Sequence, residues 1–97
     1  MRVIALGTLR DFWELHADSA APLRAWYFEA RHADWGSPTA VKAKYGSASI
    51  IGNNRVVFNI KGNSYRLVVK INCPKRIVYI RFLGTHVEYD RIDAREV

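Results

Sequence analysis

Three runs in the second half of the chain, Arg55–Lys61 (RVVFNIK), Ser64–Asn72 (SYRLVVKIN) and Arg76–Leu83 (RIVYIRFL), are dense in valine, isoleucine and aromatic residues. These residues favour a pleated, half-buried backbone, so the runs read as β-strands. Gly52-Asn53-Asn54, Gly62-Asn63 and Cys73-Pro74-Lys75 bound them. Connections this short make the three strands antiparallel neighbours. Gly62-Asn63 predicts a hairpin turn, because both residue types accept positive φ. Ala48–Ile51 adds a short strand leading in.

Alternation sorts the strand residues onto two faces. Val56, Phe58 and Ile60 oppose Arg55, Val57, Asn59 and Lys61. Tyr65, Leu67, Val69 and Ile71 oppose Arg66, Val68 and Lys70. Val78, Ile80 and Phe82 oppose Ile77, Tyr79 and Arg81. Each strand thus offers one apolar face and one face carrying cations with Asn or Tyr.

The first half supplies the helices for the apolar face. Arg2–Leu6 is a short β-prone run. Thr8 is the expected N-cap of a helix through Leu9, Phe12, Trp13 and Leu15, whose spacing approaches 3.6 residues. Asp18 or Ser19 is the expected cap of a second helix with Pro22 in its first turn and an apolar stripe of Leu23, Trp26, Tyr27 and Ala30. The pair reads as a helical hairpin. Ser37 caps a short helix that opens at Pro38 and runs to about Tyr45. Near the end, Thr85 with Glu88 three residues on predicts a capping box and a helical turn through His86–Ile92. At least two of Trp13, Trp26 and Trp35 are expected in the core. The fold class is therefore α+β. Ninety-seven residues at 49% apolar composition fit one domain, residues 1–97, with a single core.

The apolar runs are only a few residues long, which excludes a membrane-spanning helix, and the start MRVIAL lacks the pattern of a signal peptide. Cys73 is alone and reads as a turn-flanking apolar residue. With three scattered histidines it makes no zinc pattern, so no metal or cofactor is expected. The cytoplasm is the expected compartment.

Charge separates the segments further. Between Trp35 and Val87 there is no aspartate or glutamate, while the same stretch holds nine lysines and arginines. The net charge of +6 is thus concentrated on the sheet. A concentrated positive surface attracts polyanions, and a basic, aromatic-bearing sheet face suits RNA, with cations for phosphates and rings for bases. Basic solvent faces are also ordinary on antiparallel strands, so the face alone leaves both readings open.

The segment IRFLGTHVEYD adds chemistry. It places His86, Tyr89 and Asp90 within five residues, after a strand that carries Arg81. On a helical turn, residues three and four apart share a face. A histidine moves protons near neutral pH, a carboxylate orients it, and a phenol donates a hydrogen bond. Beside cations that stabilise charge on a phosphate, these groups suit RNA cleavage through its own 2′-OH. No acidic cluster lies in the basic segment to hold Mg²⁺, which points to metal-independent chemistry. As bare composition, the same residues also describe a capped helix with an exposed histidine.

The run NNRVVFNIKGNSYRLVVKINCPKRIVYIRFLGTHVEYDRI, together with MRVIALGTLRDFW and LRAWYFEA, closely resembles the RelE-like HigB-type toxins of bacterial type II toxin–antitoxin modules. The resemblance implies a RelE/ParE-like fold, with an N-terminal helical hairpin on a curved antiparallel sheet and a short C-terminal helical turn. It implies a ribosome-dependent mRNA endoribonuclease, restrained by a helix-turn-helix, HigA-like antitoxin. The positions matching the family are Asn59, Lys61, Asn63, Arg66, Lys70 and Arg81 on the sheet, and His86, Tyr89 and Asp90 beyond it. Arg66 and Arg81 join His86, Tyr89 and Asp90 as expected catalytic residues, with Asn59, Lys61, Asn63 and Lys70 as RNA-binding residues. Asn63 has the simpler role of left-handed turn geometry, and Tyr89 is an alternative to His86 for proton transfer. A non-catalytic RNA- or DNA-binding module and a toxin of this fold with a non-RNA target are the alternatives.

Overall fold

The computed structural model describes residues 1–97. The strands are β1 (Arg2–Ile4), β2 (Ser49–Ile50), β3 (Arg55–Ile60), β4 (Tyr65–Asn72) and β5 (Ile77–Thr85). The helices are α1 (Leu6–Leu15), α2 (Ala20–His32), α3 (Pro38–Lys44) and α4 (His86–Tyr89). The sheet order is β1-β5-β4-β3-β2. Strands β2 to β5 form the expected antiparallel meander. The sheet is mixed, however, because β1 joins its far edge parallel to β5, pairing Arg2 with Ile77 and Ile4 with Tyr79.

The helices cover one face. α1 and α2 are joined by a 3₁₀ turn at Ala17–Ser19 and contact each other, while α1 also reaches β5 and α2 reaches β1. The core gathers Leu9, Leu23, Trp26, Ala30 and Val41 from the helices against Val56, Phe58, Leu67, Val69, Ile71 and Val78 from the sheet. Phe58 is its hub. Trp26 and Tyr45 meet its ring edge-on at centroid distances of 5.4 and 5.2 Å, and Trp35 stacks at 6.4 Å. Trp26 and Trp35 are core residues as expected; Trp13 is only partly buried, with the Arg24 guanidinium 5.0 Å above its ring.

Several local expectations are corrected. α1 starts at Leu6 with Ala5 at its N-cap, so Thr8 lies inside the helix and caps nothing. Neither Asp18 nor Ser19 caps α2 through its side chain. Ser19 is buried and its hydroxyl donates to the His16 carbonyl at 2.7 Å, while Asp18 is drawn toward the sheet. Ser37 does cap α3, accepting from the Ala40 amide at 3.4 Å, with Pro38 opening the helix. The left-handed residues between β3 and β4 are Lys61 and Gly62, at φ 52° and 61°, not Gly62 and Asn63. Arg76 is also left-handed, so β5 begins after it and continues to Thr85, two residues past Leu83. The capping box forms as expected, Thr85 accepting from the Glu88 amide and Glu88 from the Thr85 amide, but α4 ends at Tyr89 rather than Ile92. Hydrogen bonding of the Glu88 carboxyl to Thr85, first to its backbone amide and then to its side chain, holds that carboxyl below its ordinary pKa.

The largest departure lies in β5. Val68 of β4 pairs with Phe82 but Val69 pairs with Ile80, leaving Arg81 unpaired in a β-bulge. An extra residue resets the alternation beyond it. Leu83 therefore packs against the core, and Phe82 belongs to the outer face with Val68 instead of facing the helices with Val78 and Ile80.

Candidate active site on the outer sheet face

The outer face is not uniformly open to solvent. Val57 and Val68 point away from the helices yet are 4% and 0% exposed. The chain returns across them after α4. Asn53 Nδ2 donates to the Arg95 carbonyl at 3.2 Å, and Arg55 and Arg81 both donate to the main-chain oxygen of Val97. Ile51, Tyr89, Ile92 and Ala94 line a small recess beneath this return. The outer face thus has a dry middle with polar ground on either side.

One polar region is centred on Arg66. Its guanidinium donates from Nη1 to the carbonyls of Asn63 and Tyr65, at 3.1 and 3.4 Å, and from Nη2 to His86 Nδ1 at 3.2 Å. The other ring nitrogen, His86 Nε2, lies 3.3 Å from Asp90 Oδ2. A guanidinium only donates and a carboxylate only accepts, so these partners select the tautomer with the proton on Nε2 and the lone pair on Nδ1. The Tyr89 ring sits 6.0 Å from the Arg66 guanidinium carbon and 6.4 Å from the Phe82 ring. Backbone geometry fixes the group: the His86 amide donates to the Ser64 carbonyl at 3.3 Å, and the capping box orients the turn that carries His86, Tyr89 and Asp90. His86 and Asp90 are more than half exposed, and a shallow cavity of ≈ 430 Å³ opens beside Asn63, Ser64, Arg66, Thr85 and His86.

Gly84 is favoured here by space rather than by φ. A Cβ on it would approach Phe82 Cζ to 2.7 Å and the Glu88 carboxylate to 3.2 Å. The bulge brings Phe82 to this face, and a side chain at position 84 would have to displace its ring.

The other polar region holds Lys70 and Arg81. Both line a groove of ≈ 610 Å³ with Asn54, Asn72 and Tyr79. Lys70 lies four residues along β4 from Arg66, about 13 Å at the rise of an extended strand. Arg66, Lys70 and Arg81 therefore do not converge on one phosphate. The structure brings Arg66, His86, Tyr89 and Asp90 together and sets Lys70 and Arg81 apart. Asn59 lies opposite Arg66 in the strand register, within reach of the first region. Asn63 contributes its carbonyl, by which it holds Arg66.

Lys61 is not on this face. Its left-handed backbone turns the ammonium toward the helices, where it pairs with Asp18 at 2.9 Å. Asp18 also accepts from the Tyr65 hydroxyl at 2.5 Å. That hydrogen bond, and then Lys61, hold the Asp18 carboxyl below its ordinary pKa, and the carboxylate in turn raises the Tyr65 phenol. Alternation alone already placed Tyr79 on the outer face, but nothing in the sequence pointed to Asn54, Asn72, Phe82 or the return of residues 93–97.

No curated protein matches the chain. Residues 19–92, which include the Arg66–His86–Asp90 line and most of the sheet, match the family model of HigB toxins, the RelE-like toxic component of a toxin–antitoxin system. The chain belongs to the HigB toxin family.

Proposed function

We propose that this protein is the toxin of a type II module and cleaves translated mRNA on the ribosome, as a metal-independent endoribonuclease acting in the cytoplasm. The observation that carries this reading is the His86 ring held between Arg66 and Asp90. It supplies a base with a defined tautomer, a carboxylate behind it and a cation in front. In the RelE/ParE-like fold proposed here, α1 and α2 form the helical hairpin behind the sheet.

The mechanism follows from the donors. When RNA docks, the Arg66 guanidinium transfers its Nη2 hydrogen bond from His86 to a non-bridging phosphate oxygen, which frees Nδ1. Nδ1 takes the proton of the 2′-OH as the 2′-oxygen bonds to phosphorus. The bond from phosphorus to the 5′-oxygen breaks, and the Tyr89 hydroxyl, at the edge of the same group, protonates the leaving oxygen. Asp90 stabilises the imidazolium formed on His86, as the carboxylate of a catalytic triad does. The products are a 2′,3′-cyclic phosphate and a 5′-OH. Asn59 and Asn63 border the reacting group, and Lys70 and Arg81 attract the strand on the far side of the dry middle.

A cationic toxin requires a neutralising partner, and we assign that role to a helix-turn-helix, HigA-like antitoxin encoded beside it. The test is induction of the chain with and without the neighbouring reading frame, followed by mapping of mRNA ends. The parent is expected to produce new ends within translated frames, suppressed by the neighbour. His86→Ala is expected to lower cleavage by about 10²–10⁴-fold while remaining folded. New ends of equal abundance with His86→Ala would break the assignment, and ends scattered over untranslated RNA would break the ribosome dependence.

A further inference from the structure

We propose that the groove between Lys70, Tyr79 and Arg81 is a nucleotide-binding subsite, separate from the reacting group, that holds one flanking residue of the single-stranded RNA. The inference rests on the reading of the chain as an RNA-cleaving toxin and adds to it where a neighbouring base is held.

The first observation is unpaired capacity. Elsewhere on the acid-free segment most cations are engaged: Lys42 with the carbonyls of Gly46 and Ala48, Lys61 with Asp18, Arg76 with Asp34, Arg55 with Val97 and Asn53, and Arg66 with His86. The groove differs. The Lys70 ammonium has no partner in the chain, and Arg81 uses only Nε, donating to the Val97 oxygen at 3.1 Å. Both Nη groups of Arg81 are left for a ligand. Asn72 accepts from the Lys75 amide at 3.2 Å through Oδ1, and since an amide N–H needs an acceptor, this fixes Nδ2 as a free donor. The Asn54 carboxamide and the Tyr79 hydroxyl have no protein partner either.

The second observation is shape. The recess measures ≈ 610 Å³, within the range of small-molecule sites. The half-buried Tyr79 ring forms part of its lining, opposite Lys70 in the strand register. Asn54 is held left-handed at φ 58°, while its carbonyl accepts from the Ile71 amide at 2.8 Å, so the loop bearing it is anchored to β4. Cations, a phenol ring and amide groups lining one groove match the three parts of a nucleotide: phosphate, stacked base and hydrogen-bonding base edge.

The third observation is a surrogate oxygen. At the rim, Arg55 donates to the Val97 main-chain oxygen from Nε at 3.0 Å and from Nη2 at 2.6 Å, and Arg81 joins them. Arg55 is 7% exposed, so this guanidinium pair is a built feature of the face. It shows that Arg81 already donates to an oxygen, and a guanidinium makes charge-assisted hydrogen bonds to phosphate oxygens as readily as to carbon-bound ones.

The subsite lies along β4 from His86, so it selects where the strand is cut without carrying out the chemistry. The test uses the full chain with His86→Ala, so that bound RNA survives, and follows a fluorescein-labelled single-stranded oligoribonucleotide by anisotropy. Adding Tyr79→Ala is expected to weaken binding by about 5- to 100-fold, the range for losing one stacked base. Tyr79→Phe should retain most of the affinity, and Asn72→Ala should weaken binding to some base sequences more than others. Free adenosine monophosphate should compete poorly, because it lacks the strand that also engages Arg66. Unchanged RNA binding by both Tyr79→Ala and Asn72→Ala overturns the subsite. So does unchanged RNA binding with lost co-purification of the neighbouring gene product, which would make the groove a protein interface. The two readings separate in the otherwise unmutated chain. Loss of RNA affinity with no cleavage by the parent supports the subsite and removes the nuclease, whereas cleavage at unaltered positions by Tyr79→Ala removes the subsite alone.

Discussion

On its inner face the sheet presents Phe58, Leu67, Val69, Ile71 and Val78 to the helices, each at most 2% exposed. On its outer face only Val57 and Val68 are comparably dry, and Arg66, Lys70 and Arg81 stand around them. The inner face is a continuous layer of interdigitated aliphatic and aromatic groups whose stability comes from area removed from water. The outer face is dry over one patch only, where residues 93–97 lean on it, and its remaining surface keeps unpaired donors exposed. Stability is thus concentrated on one side of the strands and binding capacity on the other, so substitutions on the two sides should differ in kind.

The strongest test of that contrast is Phe58→Ala. It removes the ring on which Trp26, Trp35 and Tyr45 converge, and should cost about 3–5 kcal/mol in a urea unfolding experiment. A loss below 1 kcal/mol would mean the inner layer is not the main support, a threshold of roughly the size of ordinary surface changes. Gly84→Ala tests whether the outer face has its own packing constraint. The new methyl would meet the Phe82 ring and the Glu88 carboxylate, for an expected loss of about 1–3 kcal/mol. The same crowding should disturb the turn carrying His86, so the proposed mRNA cleavage should fall as well. Equal stability and undiminished cleavage would show that Phe82 moves aside freely.

The smallest expected effect concerns the clamp at the sheet's end, where Asp18 joins Tyr65 and Lys61. Its native pKa is depressed, chiefly by the Tyr65 hydrogen bond. The stabilisation is therefore fully present above the ordinary carboxylate range and is lost as pH falls through the lower native value. Asp18→Asn should flatten this acid limb in thermal melts recorded across pH, by lowering the neutral-pH melt slightly while leaving the acid-pH melt unchanged. An identical acid limb in the variant would assign the titration to other carboxyls.

Much of this architecture was legible because it is local. The β3–β4–β5 meander follows from valine-rich runs and short turns, and the caps at Ser37 and Thr85 follow from their own neighbours. What escaped is pairing between distant segments. Whether Phe82 faces in or out depends on the opposing strand skipping Arg81, which no single strand reveals. Lys61 alternates outward on paper, but its left-handed φ and Asp18, far away in sequence, turn it inward. The parallel docking of β1 and the return of the chain over Val57 and Val68 are likewise long-range. At the site, the grouping of His86, Tyr89 and Asp90 was visible in their spacing. The separation of Lys70 and Arg81 from Arg66 was not, because three outward cations on two neighbouring strands look like one cluster until strand rise is counted.

The parallel pairing of Arg2–Ile4 with Ile77–Tyr79 has a consequence for biogenesis. β1 has no hydrogen-bonding neighbour in the sheet until β5, the last of the five strands, is in place, and the turn bearing His86 follows β5 directly. Contacts so distant in sequence close late and slowly. The helices can collapse early on β3 and β4, but the sheet edge and the Arg66–His86 contact both wait for β5 and the turn after it. The group around His86 is thus among the last parts of the fold to be assembled, which leaves a time window in which an antitoxin can capture the toxin before that group is complete.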